Sequence, residues 1–190
     1  GSKVVLRRHV PANLAAFRRW YADPEIARLA RYQEAPMRPE EIERFWQQFV
    51  NLSGRLAASP VPVIAALSGH APAGGAVLAL QCDYRIGING NFKIGLNEVQ
   101  VGLPVPGTIL LALEEVIGLR HARRIATRGT LLPMSEALAI GLVDELVEAD
   151  VLMPTALTRA RELLALPPVA MNTTRLAGKA RLIAAYASSG

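Results

Sequence analysis

Apolar positions along this chain follow two periods, and the boundaries between them outline the elements. Val61 to Leu67 is a continuous apolar run, fenced by Pro60 and Pro62 before and Gly69 after. A short run bounded by breakers and rich in β-branched residues predicts a buried strand. The turn Gly69-His70-Ala71-Pro72-Ala73-Gly74-Gly75 comes next, then a short helix over 76–82 and a second strand over Tyr84 to Ile88. Asn89-Gly90-Asn91 is a turn by composition, and Phe92 to Ile94 resumes extended structure. Gly102 to Gly107 is a breaker-rich loop. Thr108 is placed to cap a helix over Ile109 to Ile117 that Gly118 ends, and a further helix over Arg120 to Arg128 ends at Gly129. A short helix from Ser135 stops at Gly141, Leu142 to Val147 reads as a strand, and Asp150 caps a helix over Val151 to Leu166. Pro167-Pro168 separates this from a terminal amphipathic helix over Val169 to Tyr186.

Before Pro60 the pattern is helical. Val4 to Leu6 suits a short strand, Asn13 caps Leu14 to Ala22, and Asp23-Pro24 opens another helix. A longer helix is predicted over Glu40 to Ala58, with Ile42, Phe45, Trp46, Phe49 and Leu52 as its buried face. Strand and helix alternate through the rest of the chain, which predicts an α/β fold with mostly parallel strands.

Composition narrows the function classes. The 190 residues suit one domain, or one and a small appendage, and 51% are hydrophobic, enough for a sizeable core. No apolar run approaches the ~18 residues of a membrane span, so no membrane association is expected. The single cysteine, Cys82, lies in an apolar helix and reads as an inert buried thiol. With no charged-then-apolar leader at the start, it suggests a reducing cytoplasm. The net charge of +5 fits a solvated arginine-rich surface, or a preference for an anionic ligand such as a coenzyme A phosphate. No basic run with interleaved aromatics points to nucleic acid. Neither a Ser-His-Asp constellation nor a metal-ligand spacing occurs. His70 reads as a turn or packing residue, and His9 and His121 as surface residues.

The chemistry-bearing stretch runs from the glycine turn at Gly69 to the loop at Gly102. A strand, a Gly-Gly turn and a helix start leave backbone N–H groups without intrahelical partners, aimed at whatever sits above Gly74 and Gly75. Downstream, Ile94-Gly95-Leu96-Asn97-Glu98-Val99 supplies one carboxylate in an apolar frame. Anion-stabilising donors and a half-buried Glu suit proton transfer at a carbon next to a carbonyl. The bland alternatives stay open: Glu98 capping its loop or pairing with an arginine, and Gly74 making a plain tight turn.

GHAPAGGAVLALQCDYRI followed by FKIGLNEVQVGL resembles the crotonase, or enoyl-CoA hydratase/isomerase, superfamily, nearest its Δ3,Δ2-enoyl-CoA isomerase branch, and the likeness covers roughly residues 45 to 185. It implies a partial ββα superhelix with C-terminal helices and an acyl-CoA thioester as substrate. Coenzyme A enters as part of that substrate, with no separate cofactor and no metal. It implies a homo-oligomer, trimeric in the family, with the last helices packing on a neighbour. Glu98 then matches the isomerase base and Gly74 an oxyanion-hole donor, while Ala71, Gly75, Val77 and Leu103 fall at substrate-binding positions. Hydratases of the family carry a second Glu where this chain has Val77, so the resemblance implies isomerisation without hydration.

Residues 3–45 instead resemble the opening of a GNAT-type acetyltransferase, though without its pyrophosphate loop. The expected division is therefore a GNAT-like segment over 1–45 and a crotonase-like core over 46–190. No match to the family's first oxyanion loop, of the form F-S-A-G-x-D-L, occurs before Pro60. A chimera joined near Glu43 to Gln48, an impaired isomerase, a silent acyl-CoA-binding module and an acetyltransferase remain the readings to separate.

Overall fold

The structure is a computed structural model that describes residues 39–188. The elements expected before residue 39, and His9 with them, lie outside the described residues. The chain divides into two compact units, Gly1–Gln47 and Gln48–Gly190, and the elements below belong to the second unless stated.

Helix α1 spans Pro39–Ala57, crossing that division, with Glu40 and Glu41 in its first turn and Arg55 in its last, each favourable to the helix dipole. Its buried stripe is not the aromatic one the sequence suggested. Phe45 is 57% exposed, and Trp46 and Leu52 are also exposed, whereas Ser53 and Ala57 are buried and Phe49 is half-buried. The reason is distance of approach. A Cβ at Gly54 would lie 3.1 Å from the Tyr186 Cβ, so this helix packs through its small residues, where backbones come close.

Strands form two three-stranded sheets. In the first, β1 (Ile64–Leu67), β3 (Tyr84–Ile88) and β6 (Glu145–Val147) lie in the order β1-β3-β6, all parallel, with Ile64 opposite Tyr84 and Ile86 opposite Glu145. β1 starts three residues later than expected, and the stretch before it is fixed from outside by the Val63 N–H donating to Asp83 Oδ2 at 2.8 Å. Among the described residues β1 is an edge strand and is only half-buried, while central β3 is buried over Arg85 to Ile88. β6 begins at Glu145 because Asp144 is diverted, its carboxylate accepting the Arg85 N–H and its own N–H donating to the Arg85 carbonyl. The second sheet has β2 (Ala71–Pro72) parallel to β4 (Lys93–Gly95), and β4 antiparallel to β5 (Leu132–Pro133), a two-residue strand the sequence pattern did not indicate.

Between the sheets' strands run α2 (Gly74–Leu80) and α3 (Gly107–Arg128), the latter broken at Gly118, which is left-handed in φ (76°) and extended in ψ (153°). The two helices expected on either side of Gly118 are thus present, meeting at a kink where that glycine leaves the helical conformation. α2 begins two residues before the expected 76–82 and ends earlier, leaving Gln81 and Cys82 in a turn. The core gathers Val77, Leu80, Ile94, Leu96, Leu113, Met134, Leu142 and Leu182, each aliphatic side chain contributing about 1.5–3 kcal/mol by burial. α4 (Met134–Ala139) follows β5, and α5 (Leu152–Leu164) follows a short 3-10 turn at Ala149–Val151.

The terminal helix over 169–186 is instead two helices, α6 (Pro168–Gly178) and α7 (Ala180–Ala187), meeting at Lys179. An ion cluster accounts for the break. Lys179 Nζ lies 2.6 Å from Asp83 Oδ1 and donates to the Gln81 carbonyl at 2.7 Å, while Arg175 reaches Asp83 at 3.3 Å and the Ser59 carbonyl at 2.5 Å. Asp83 is thereby shared by the start of β1 and the α6–α7 junction. No helix among the described residues is long and apolar enough to cross a membrane.

Candidate active site

Because β2 and β4 are parallel, their carboxyl ends leave the sheet by the same edge. Ala71 stands opposite Ile94 and Pro72 opposite Gly95, and the Ala73 N–H donates to the Gly95 carbonyl at 2.9 Å. One residue beyond that bond β2 becomes Gly74, and three residues beyond it β4 becomes Glu98. The fold therefore delivers both residues to one edge, outside the carboxyl ends of adjoining strands, where α/β folds hold their ligands.

The Gly74 side of that edge is built by a sharp turn. Ala73 has φ 46° and ψ −114°, and it is the one non-glycine residue with positive φ among those described. Its carbonyl accepts the Val77 N–H at 2.9 Å, so Gly74, Gly75 and Ala76 carry the first N–H groups of α2, which have no acceptor within the helix. No side chain caps them. A Cβ on Gly74 would meet the Phe49 ring at 3.7 Å, and one on Gly75 the Ala71 Cβ at 3.4 Å. Gly74 is half-buried beneath Phe49, and Gly75 is exposed.

The Glu98 side is a 3-10 turn over Glu98–Val101, closed by Gly102 in the left-handed region (φ 81°). The Leu103 N–H donates to the Glu98 carbonyl at 3.0 Å. Two glycines let neighbouring chain press against this turn. A Cβ on Gly95 would come 2.5 Å from the Thr130 carbonyl oxygen, and one on Gly129 2.8 Å from Gln100 Cγ. The Glu98 side chain is half-buried, yet its Oε2 is fully covered and meets no hydrogen-bond donor, and the same holds for Asn97 Oδ1 beside it. An uncompensated buried oxygen costs about 1–3 kcal/mol, so two in succession mark a place where a donor belongs. Glu98 forms no ion pair with an arginine among the described residues, and it is its carbonyl, not its carboxylate, that closes the loop.

Of the other residues singled out, Ala71 and Val77 lie in the packed interior, Val77 at 1% exposure, and Leu103 is on the surface at 58%. A cavity of about 710 Å³ lies at the far end of α2, lined by Leu80, Asp83, Arg175 and Lys179 among others, and none of these six candidates lines it. Cys82 is buried and its thiol pKa is raised, chiefly by that burial, which makes it the inert group expected. His121 is half-buried rather than a surface residue. Among the described residues no three His, Cys, Asp or Glu side chains gather as a metal site. Two residues escaped the sequence reading: Ala73, whose place before Gly-Gly at a strand-to-helix turn was the available signal, and Asn97, whose signal was adjacency to Glu98 alone.

The sequence profile described as Enoyl-CoA hydratase/isomerase matches residues 30–185. The human protein named "Enoyl-CoA delta isomerase 1, mitochondrial" is 38% identical over 138 residues, 72% of this chain and 46% of that protein. A probable enoyl-CoA hydratase from Mycobacterium avium is 38% identical over 109 residues, 57% of this chain and 42% of that one. The crystal structure of human mitochondrial delta3-delta2-enoyl-CoA isomerase superposes with a TM-score of 0.76 at 33% identity, over 80% of this chain and 59% of that chain. The chain spans about half the length of the curated relatives it matches. The profile match starts at residue 30, inside the stretch for which the sequence suggested an acetyltransferase-like segment. The chain belongs to the enoyl-CoA hydratase/isomerase family.

Proposed function

We propose that this family member is an acyl-CoA isomerase that moves the double bond of a 3-enoyl-CoA to the 2-position. The observation that carries the reading is the shared edge: a free backbone donor at Gly74 and a covered, unpartnered carboxylate oxygen at Glu98, each a few residues past the carboxyl end of one of two adjoining parallel strands. In the reaction Glu98 removes a proton from C2. The electron pair moves into the thioester, whose oxygen takes the negative charge and accepts the Gly74 N–H. The double bond then re-forms between C2 and C3 as the protonated Glu98 returns its proton to C4. One carboxylate serves both carbons, and the reading needs no cofactor beyond the coenzyme A of the substrate.

Val77 supports isomerisation over hydration. Water attacking C3 must be held and deprotonated, and an apolar side chain in the core offers neither service, whereas a 1,3-proton shift uses no water. Offering a 3-enoyl-CoA and a 2-enoyl-CoA separately, and following the ultraviolet absorbance of the conjugated thioester, tests the choice. Gain of absorbance from the 3-enoyl substrate should outrun its loss from the 2-enoyl one, and the reverse order would make the chain a hydratase.

A second reading is an acyl-CoA-binding module without turnover. Saturable binding of a thioester with no absorbance change from either substrate would select that reading. A homo-oligomer and a cytoplasmic location are further parts of the proposal, the first by family likeness and the second from the cysteine usage.

A further inference from the structure

The second sheet is short of backbone donors. β2 has two residues, and one of them, Pro72, has no N–H. The register that sets Ala71 opposite Ile94 and Pro72 opposite Gly95 therefore rests on few bonds, and one of those comes from a side chain. The Lys93 N–H, at the start of β4, donates to His70 Nδ1 at 3.1 Å, one residue before β2 begins. At the other end of the pair the Ala73 N–H holds the Gly95 carbonyl. A backbone N–H can only donate, so Nδ1 is the acceptor in this bond.

The ring is also held in place. His70 meets Phe92 edge-on, with centroids 5.3 Å apart and planes at 75°. Phe92 in turn is wedged in a glycine cleft: a Cβ on Gly90 would stand 2.8 Å from its ring, and one on Gly69 3.9 Å away. The Phe92 carbonyl accepts the Met134 N–H at 3.2 Å, which anchors the strand's start to α4. An exposed imidazole with no role would not need an aromatic brace and a defined acceptor atom.

We propose that His70 is a positioning residue: its Nδ1 pins the first residue of β4 to the start of β2 and so sets where Glu98 stands relative to Gly74. The lock is a property of the fold, and its consequence for turnover rests on the isomerase reading above. The variant pair His70→Asn and His70→Gln separates this from packing, because the Asn Oδ1 falls where Nδ1 stood and the Gln oxygen lies one bond farther out.

The experiment is solution NMR on 15N- and 13C-labelled full chain, with parallel assays on a 3-enoyl-CoA. The parent should give a coupling across the hydrogen bond between the Lys93 and His70 Nδ1 nitrogens. Exchange of the Lys93 amide should quicken about fivefold in His70→Gln, the loss of one ordinary hydrogen bond, and stay near the parent rate in His70→Asn. The Gly74 amide and Glu98 carboxyl resonances should move in the Gln variant and return in the Asn variant. In the assay, kcat should fall about fivefold in His70→Gln at unchanged KM, with Asn restoring it. Absence of the coupling, equal Lys93 exchange in both variants, or unmoved Gly74 and Glu98 resonances would overturn the proposal. A parent that turns over no 3-enoyl-CoA would count against the isomerase reading alone, since the resonances decide the lock.

Discussion

The two ends of α2 are built on opposite principles. At its far end Asp83 is saturated: the Val63 N–H, Arg175 and Lys179 all converge on one carboxylate, and the two cations also hold the Ser59 and Gln81 carbonyls. At its near end the turn is strained at Ala73, the first N–H groups have no side-chain cap, and Glu98 Oε2 and Asn97 Oδ1 lack donors. One helix thus carries an ion cluster that fastens the C-terminal helices and a set of unmet hydrogen-bonding groups. Stability concentrates where partners are complete, and binding capacity is left where they are not.

The largest effect that tests this contrast is expected at the saturated end. Asp83→Ala strands two largely buried cations and should cost about 3–5 kcal/mol, read as a lowered midpoint in denaturant. A loss below about 1 kcal/mol would mean that the cluster is not what fastens α6 and α7. Next comes the strand that leads to Glu98. Gly95→Ala sets a methyl against the Thr130 carbonyl at a φ of 152°, and should destabilise by about 2 kcal/mol, measured the same way. At the strained turn the sign reverses. Ala73→Gly relieves an unfavourable backbone conformation of about 1–3 kcal/mol, less the extra chain entropy of glycine, and should raise stability by about 1 kcal/mol. A fall in stability would mean that the turn is not strained.

The smallest effect belongs to a half-buried ion pair that neither end of α2 uses. Hydrogen bonds from Arg159 hold the Glu145 carboxyl pKa below its ordinary value. A depressed folded pKa contributes stability above the unfolded value, about 4.3, which is lost as pH falls through the folded one. Solvent screening keeps that contribution small. Parent and Glu145→Gln unfolding midpoints should therefore differ slightly at pH 7 and converge below pH ~4, and a gap that widens with acid would contradict the sign.

Much of this architecture was legible in the chain, and the reasons differ by element. The runs ending at Leu67 and at Ile88 were readable as neighbouring strands because glycine and proline fence them, and they pair in parallel as expected. The NEVQ and GHAPAGG stretches pointed to Glu98 and Gly74, yet only the parallel pairing of β2 with β4 shows why residues so far apart share an edge. The elements that the pattern misplaced are set by contacts distant in sequence. The aromatic positions of α1 gave way to Ser53 and Ala57 because Tyr186, far along the chain, packs at Gly54. The terminal helix breaks at Lys179 because Asp83 draws that side chain in. His70 looked like a turn residue, since no local pattern reveals an acceptor for an amide 23 positions on.

The central claim is that the open end of α2 and Glu98 act on one thioester. The most direct test compares parent and Glu98→Gln on a 3-enoyl-CoA, with thioester affinity measured alongside. Gln keeps the size and hydrogen-bonding capacity of the side chain but cannot take the C2 proton. The account predicts conjugated product from the parent, a rate lower by about 10² or more in the variant, and an affinity unchanged within about threefold. Equal rates in the two proteins, or a parent that binds the thioester and never turns it over, would contradict it.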